Sequence, residues 1–162
     1  MTQKLSRKAA AGSAKRVAPP RRSQTASAAH PGPEAHERPG EAARILVVED
    51  DFLIALQVEA ALAEAGFRVV GVAASAEEAT ELAAVHRPDL VVMDIRLSGK
   101  RDGIDLAIEL HRDHAIRCLL ATAHADAQAR RRAEPAGPLG WLQKPYTMAS
   151  LVGMVREALD LS

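Results

Sequence analysis

Aromatic side chains are almost missing from this chain: Phe52, Phe67, Trp141 and Tyr146 are the four among 162 residues. Its core must therefore be aliphatic, built from Leu, Val, Ile and Ala, and there is enough of these for one compact domain. Cysteine occurs once, at Cys118, which excludes an internal disulfide. Its flanks, Arg117 and Leu119-Leu120, put it in a strand as a small core residue of a reducing compartment. No stretch approaches the roughly eighteen apolar residues of a membrane span, and the N-terminus lacks the apolar segment of a secretory signal. A soluble, cytoplasmic protein is expected.

Net charge is missing as well, since 21 Lys or Arg balance 21 Asp or Glu. The balance conceals an asymmetry. Residues 1–43 hold eight bases against three acids, and residues 44–162 hold thirteen against eighteen. The first segment is rich in Ala, Ser, Pro, Arg and Lys, with Pro19-Pro20 and His30-Pro31-Gly32-Pro33 as chain breakers. It cannot bury enough apolar surface to offset its ordering entropy, so a disordered basic tail over 1–43 and a domain over 44–162 are expected. A solvated extension or a misplaced start codon accounts for the tail most simply. A transit peptide, or a contact with nucleic acid or an anionic surface, are the other readings its composition allows.

What the domain does have is a five-fold alternation of short apolar runs and amphipathic stretches. The runs are 44–48, 67–72, 89–93, 116–121 and 139–142. The stretches are 51–65, from Ser75 to about His86, 103–112, 125–133, and about 147–159. In the first stretch Phe52, Ala55-Leu56 and Leu62 mark an apolar stripe with Glu59 facing out, and Gly66 closes it. Ser75 with Glu78 three residues later has the form of a capping box, and Arg87-Pro88 stops the second stretch. Met148, Leu151, Val152, Val155 and Leu159 form the stripe of the last, with Thr147 as its cap. Such alternation argues for a parallel α/β sheet covered by helices on both faces. In open sheets of this class ligands bind beyond the carboxyl ends of the strands.

The charges that follow the runs are therefore expected to converge. Glu49-Asp50-Asp51 follows the first run, Asp94 the third, Thr122 the fourth and Lys144-Pro145 the fifth. Clustered carboxylates repel one another by about 4 kcal/mol per pair at about 4 Å and an effective dielectric of about 20, and a divalent cation removes that cost. Oxygen ligands of this kind suit magnesium or manganese. An aspartate can attack phosphorus as a nucleophile to give an acyl phosphate, whose oxygens need a cation, an ammonium and a hydroxyl or amide around them. Taken singly, each residue has an ordinary explanation: a helix cap for Glu49 to Asp51 and for Thr122, a surface lysine for Lys144. Together they describe a metal-assisted phosphoryl acceptor.

At these residues the chain resembles the receiver domain of two-component response regulators, the chemotaxis-regulator-like fold. Ile45-Leu46-Val47-Val48-Glu49-Asp50-Asp51, Val91-Val92-Met93-Asp94, Leu120-Ala121-Thr122-Ala123 and Gly140-Trp141-Leu142-Gln143-Lys144-Pro145 are similar to that family's acidic, phosphoacceptor, switch-threonine and lysine-proline segments. The resemblance implies a flavodoxin-like, doubly wound five-stranded parallel sheet of order 2-1-3-4-5 with five helices. It implies that Asp94 is the phosphoacceptor, and that Glu49, Asp50, Asp94 and the backbone carbonyl of Arg96 hold Mg2+, with Mn2+ as a substitute. Asp51 then lies outside the ion's ligands. Thr122 and Lys144 would stabilise the phosphoryl group, Thr122 and Trp141 would form the switch, and the peptide before Pro145 would be cis. Arg96 and His124 would border the phosphoryl group and tune its hydrolysis. The phosphoryl donor would be a sensor histidine kinase or a histidine phosphotransfer protein.

Two features depart from the family pattern. Leu97 is followed by Ser98 where the family usually has a Leu-Pro pair, and Ser98-Gly99-Lys100-Arg101 makes the loop before Asp102-Gly103 one residue longer. The fourth helix is short, with Pro135 and Pro138 near its end. Because the sequence stops at Ser162, soon after the fifth helix, no DNA-binding output domain is expected. A stand-alone receiver would signal by binding a partner through its fourth helix, fifth strand and fifth helix, the surface that carries Arg130-Arg131-Arg132 as a solvated face. A phosphorylation-independent pseudo-receiver is the alternative. A small aspartate-nucleophile phosphatase is disfavoured because Asp94 is on the third strand and there is no room for a cap. A flavin mononucleotide carrier is disfavoured because three carboxylates would repel its phosphate.

Overall fold

A computed structural model describes residues 41–160. The tail expected over 1–43 lies, apart from its last three residues, outside the described residues. The elements run β1 (Arg44–Val48), α1 (Phe52–Glu64), β2 (Arg68–Ala73), α2 (Ala76–His86), β3 (Leu90–Asp94), α3 (Gly103–His114), β4 (Cys118–Thr122), α4 (Ala127–Ala133), β5 (Gly140–Gln143) and α5 (Met148–Asp160). All four strand pairings are parallel and the order is β2-β1-β3-β4-β5. This is the parallel sheet that the alternation implies, in the doubly wound order and with the five helices that the resemblance implies.

The alternation of side chains along each strand sorts the core into two layers. Leu46 and Val48 of β1, Val91 and Met93 of β3 and Leu120 of β4 point to one face, where Ala79 and Ala83 of α2 and Leu106 and Leu110 of α3 cover them. Ile45, Val47, Leu90, Val92 and Leu119 point to the other, against Val58 and Leu62 of α1 and Leu151 and Val155 of α5. Both faces are apolar, which is why the central strands read as continuous hydrophobic runs. Burial pushes the Cys118 thiol up to about 12, so it is an unreactive member of the first layer.

The helix ends follow their local chemistry. Asp51 caps α1 by accepting from the amides of Leu53 and Ile54, at 2.9 and 3.1 Å. Ser75 caps α2 by accepting from the Glu78 amide, while the Glu78 carboxylate reaches back to the Ala74 amide. Thr147 accepts from the Ser150 amide at the start of α5. Gly66, at φ +92, takes the left-handed turn after α1.

One expected face is corrected. Phe52 and Leu56 are exposed, while Ala55 and Leu62 of the expected stripe are buried together with Val58. That helix is apolar nearly all round, so the sheet, not the periodicity, selects the inward side. The arginine run of α4 is also more engaged than a solvated face: Arg132 pairs with Asp102 and Asp105 at the start of α3, and Arg130 lies 5.0 Å over the Trp141 ring.

Candidate functional site

Because every strand is parallel, the residues that end β1, β3, β4 and β5 meet at one edge of the sheet. Asp94 and Thr122 are the last residues of their strands, while Glu49 and Lys144 immediately follow theirs. Backbone bonds fix these ends. Glu49 N–H donates to the Ala73 carbonyl at 3.0 Å, Ile95 N–H to Ala121 at 3.0 Å, and Lys144 N–H to Thr122 at 2.8 Å. The Lys144–Pro145 peptide is cis.

Lys144 Nζ donates to Asp94 Oδ2 at 2.5 Å and to Glu49 Oε2 at 3.1 Å. Asp94 Oδ1 accepts from the Arg96 amide at 3.0 Å, and Glu49 Oε1 from the Asp51 amide at 3.2 Å. Glu49, Asp94 and Thr122 are buried, and they are the polar exceptions in an otherwise aliphatic core among the described residues. Carboxylate oxygens of Glu49, Asp50 and Asp94 lie within 4.8 Å of one another, a spacing that one cation could bridge. Asp51 is turned into the helix cap and stands apart from them.

Thr122 is engaged by the loop that follows it. Its Oγ1 donates to the His124 carbonyl and accepts from the His124 amide, both at 3.2 Å. Trp141 is half-buried against the first core layer under the Arg130 guanidinium. Arg96 is exposed, with its amide on Asp94. Beside Lys144 a cleft of about 460 Å3 is lined by Ile54, Gln57, Ala123, Pro145, Tyr146 and Met148.

Two contacts escaped the sequence. Ser98 donates both its amide, at 3.0 Å, and its hydroxyl to Asp50 Oδ2. Arg130 stacks on Trp141. The unusual Ser98 was visible as a signal, but its direction depends on the path of a loop that no periodicity encodes.

The electrostatics are those of a crowded anionic pocket. Burial raises the Glu49 carboxyl above its ordinary range, against hydrogen bonds from Lys144 and the Asp51 amide that lower it. Burial alone would lower the Lys144 ammonium, but hydrogen bonds to Asp94 and Glu49 carry it upward. A carboxyl raised in the folded state keeps a proton that the unfolded chain has already lost. Its contribution to stability is therefore present below the unfolded pKa and lost as pH rises through the folded one. Glu49→Gln removes that dependence. In metal-free protein, the stability of Glu49→Gln relative to wild type is expected to increase as pH rises above the ordinary glutamate pKa of about 4.3, as read by urea unfolding at several pH values. A difference that is flat or falls would show that Glu49 is not strained by its burial.

The same fold recurs in known proteins. A family model for the response regulator receiver domain matches residues 45–156. The transcriptional regulatory protein PdtaR of Mycobacterium tuberculosis is 36% identical over 117 residues, covering 72% of this chain and 57% of PdtaR. The phyllosphere-induced regulator PhyR of Methylorubrum extorquens is 32% identical over 120 residues, covering 73% of this chain and 44% of PhyR. This chain thus spans about half the length of these curated relatives. Among solved structures, the signal receiver domain of a modulated diguanylate cyclase from Desulfovibrio desulfuricans superposes with a TM-score of 0.68 at 30% identity, covering 75% of this chain and 96% of that one. A CheY-like receiver domain protein from Methanospirillum hungatei has a TM-score of 0.69 at 24% identity, covering 75% and 96%, a likeness of fold. No helix among the described residues is long and apolar enough to cross a membrane. A match that runs from the first strand into the last helix leaves one assignment: the chain belongs to the response regulator receiver domain family of two-component signalling, whose members are signalling domains rather than classical enzymes.

Proposed function

We propose that this protein accepts a phosphoryl group on Asp94 from a phosphohistidine of a sensor kinase or phosphotransfer protein, with magnesium, and signals by phosphorylation-dependent partner binding. The observation that carries this reading is the gathering of three carboxylates, two of them buried and hydrogen-bonded to one ammonium. The donor set fits a hard dication. Glu49, Asp50 and Asp94 offer only oxygen, and one lysine leaves their charge incompletely balanced. These three side chains, with the Arg96 carbonyl, would hold the ion. When bound it would supply charge neutralisation for the oxygens of the transferring group.

The rest falls to the chain's own residues. An Asp94 carboxylate oxygen attacks phosphorus, the phosphorus–nitrogen bond of the donor breaks, and the imidazole leaves with the electron pair and takes a proton from solvent. The product is an acyl phosphate on Asp94. Lys144, already in contact with Asp94, pairs with the phosphoryl oxygens. Thr122 must leave His124 to donate its hydroxyl, which vacates space near Trp141 and biases the surface formed by α4, β5 and α5. The reading places the protein in the cytoplasm, where such donors act.

Trp141 is the sole tryptophan and so reports on this switch. Addition of magnesium followed by beryllofluoride, an analogue of the phosphoryl group, is expected to change its emission. Beryllofluoride without magnesium should not. Emission that ignores both additions would favour a phosphorylation-independent interaction module.

A further inference from the structure

Of the three acids at the site, Asp50 is the least confined, being partly exposed where Glu49 and Asp94 are buried. An exposed carboxylate turns freely, and a ligand that must be ordered at the moment of binding weakens the site by the entropy lost. Here one residue prevents that. The backbone amide and the hydroxyl of Ser98 both donate to the same oxygen, Asp50 Oδ2. Two donors on one oxygen fix the plane of the carboxylate and leave the other oxygen with its full capacity to accept. The contact spans 48 residues of sequence and joins the segment after β1 to the loop between β3 and α3.

We propose that Ser98 is a positioning residue for the cation at Glu49, Asp50 and Asp94, holding Asp50 in a ligand-ready orientation. The inference rests on the proposed function above. It gives the loop over residues 98–101 a task, because the loop's path determines whether one residue can aim both donors at Asp50. Hydrogen bonds that orient a metal ligand affect affinity without touching the ion, and their loss weakens binding by about tenfold or more.

Magnesium titrations by calorimetry on the full chain test this. Ser98→Ala keeps the amide and removes the hydroxyl, and its dissociation constant is expected to rise by about tenfold. Ser98→Thr keeps the hydroxyl and should stay close to wild type. Thermal unfolding of both variants in chelator should match wild type, since a merely structural role would appear there. Equal magnesium affinity in wild type and Ser98→Ala would overturn the inference and leave the metal site standing. Equal weakening in Ser98→Thr would also overturn it, because side-chain volume would then be the cause. If wild-type protein bound no magnesium, the functional reading and the inference would fall together.

Discussion

Gly103→Ala is expected to be the most disruptive single-methyl change in the domain. A Cβ at Gly103 would lie 2.1 Å from the Asp94 carbonyl oxygen, 2.9 Å from Ile95 Cα and 3.0 Å from the Asp94 carbonyl carbon. All three are backbone atoms and cannot swing aside as a side-chain tip could. The glycine is required for close approach: it starts α3, and its amide donates to the Ile95 carbonyl at 2.8 Å, locking the helix against the end of β3. Either the helix retreats or the strand end bends. Overpacking of this kind costs typically about 1–3 kcal/mol and occasionally more, and here about 3 kcal/mol is expected. For a domain of this size that corresponds to roughly 10 °C in Tm. The displaced strand end carries the proposed nucleophile, so the folded fraction should also bind magnesium more weakly. Gly153→Ala is the matching control. It lies in α5 with nothing within 4 Å of the new methyl, and alanine there should be neutral or stabilise by up to about 1 kcal/mol. Similar losses in both variants would mean that the contact at Asp94 is not what holds α3.

Asp94→Asn is expected to reduce phosphoryl incorporation to background while leaving the fold intact. An amide is no nucleophile toward phosphorus, and no neighbouring group can replace it: Glu49 and Asp50 belong to the proposed ion site and Thr122 is tied to His124. The substitution is isosteric, and Lys144 keeps its bond to Glu49. Folding should therefore survive. Magnesium at about one hundred times its dissociation constant should stabilise wild type by about 2.7 kcal/mol. Asp94→Asn, with one carboxylate fewer, should gain distinctly less. Thermal unfolding with and without magnesium measures this, and acetyl phosphate provides the incorporation assay. Incorporation that persists in Asp94→Asn would move the acceptor elsewhere.

The sheet and its charged edge were legible in the sequence because each strand is buried on both faces. Continuous apolar runs such as Ile45 to Val48 and Leu90 to Met93 mark strands without ambiguity about which side is out, and the first charge after each run marks the edge. Boundaries moved by a residue or two. β3 extends through Asp94 and β4 through Thr122, because the hydrogen-bond ladder continues past the last apolar side chain. The face of α1 was legible only in part: Ala55 and Leu62 are buried as the stripe implies, but Phe52-Leu53-Ile54-Ala55-Leu56 offers several stripes, and the sheet leaves Phe52 and Leu56 outside. The Ser98 and Arg130 contacts were hidden for another reason. Each joins a loop or a short helix to a distant element, and such geometry follows from the assembled fold rather than from any local pattern.

The central claim is that Asp94 carries phosphorus, and peptide-resolved mass spectrometry of wild-type protein incubated with acetyl phosphate tests it most directly. The account expects a gain of one phosphate on the peptide containing Asp94, dependent on magnesium and released by hydroxylamine as an acyl phosphate should be. No gain with magnesium present, or a hydroxylamine-resistant phosphate on a serine, threonine or histidine, would contradict it.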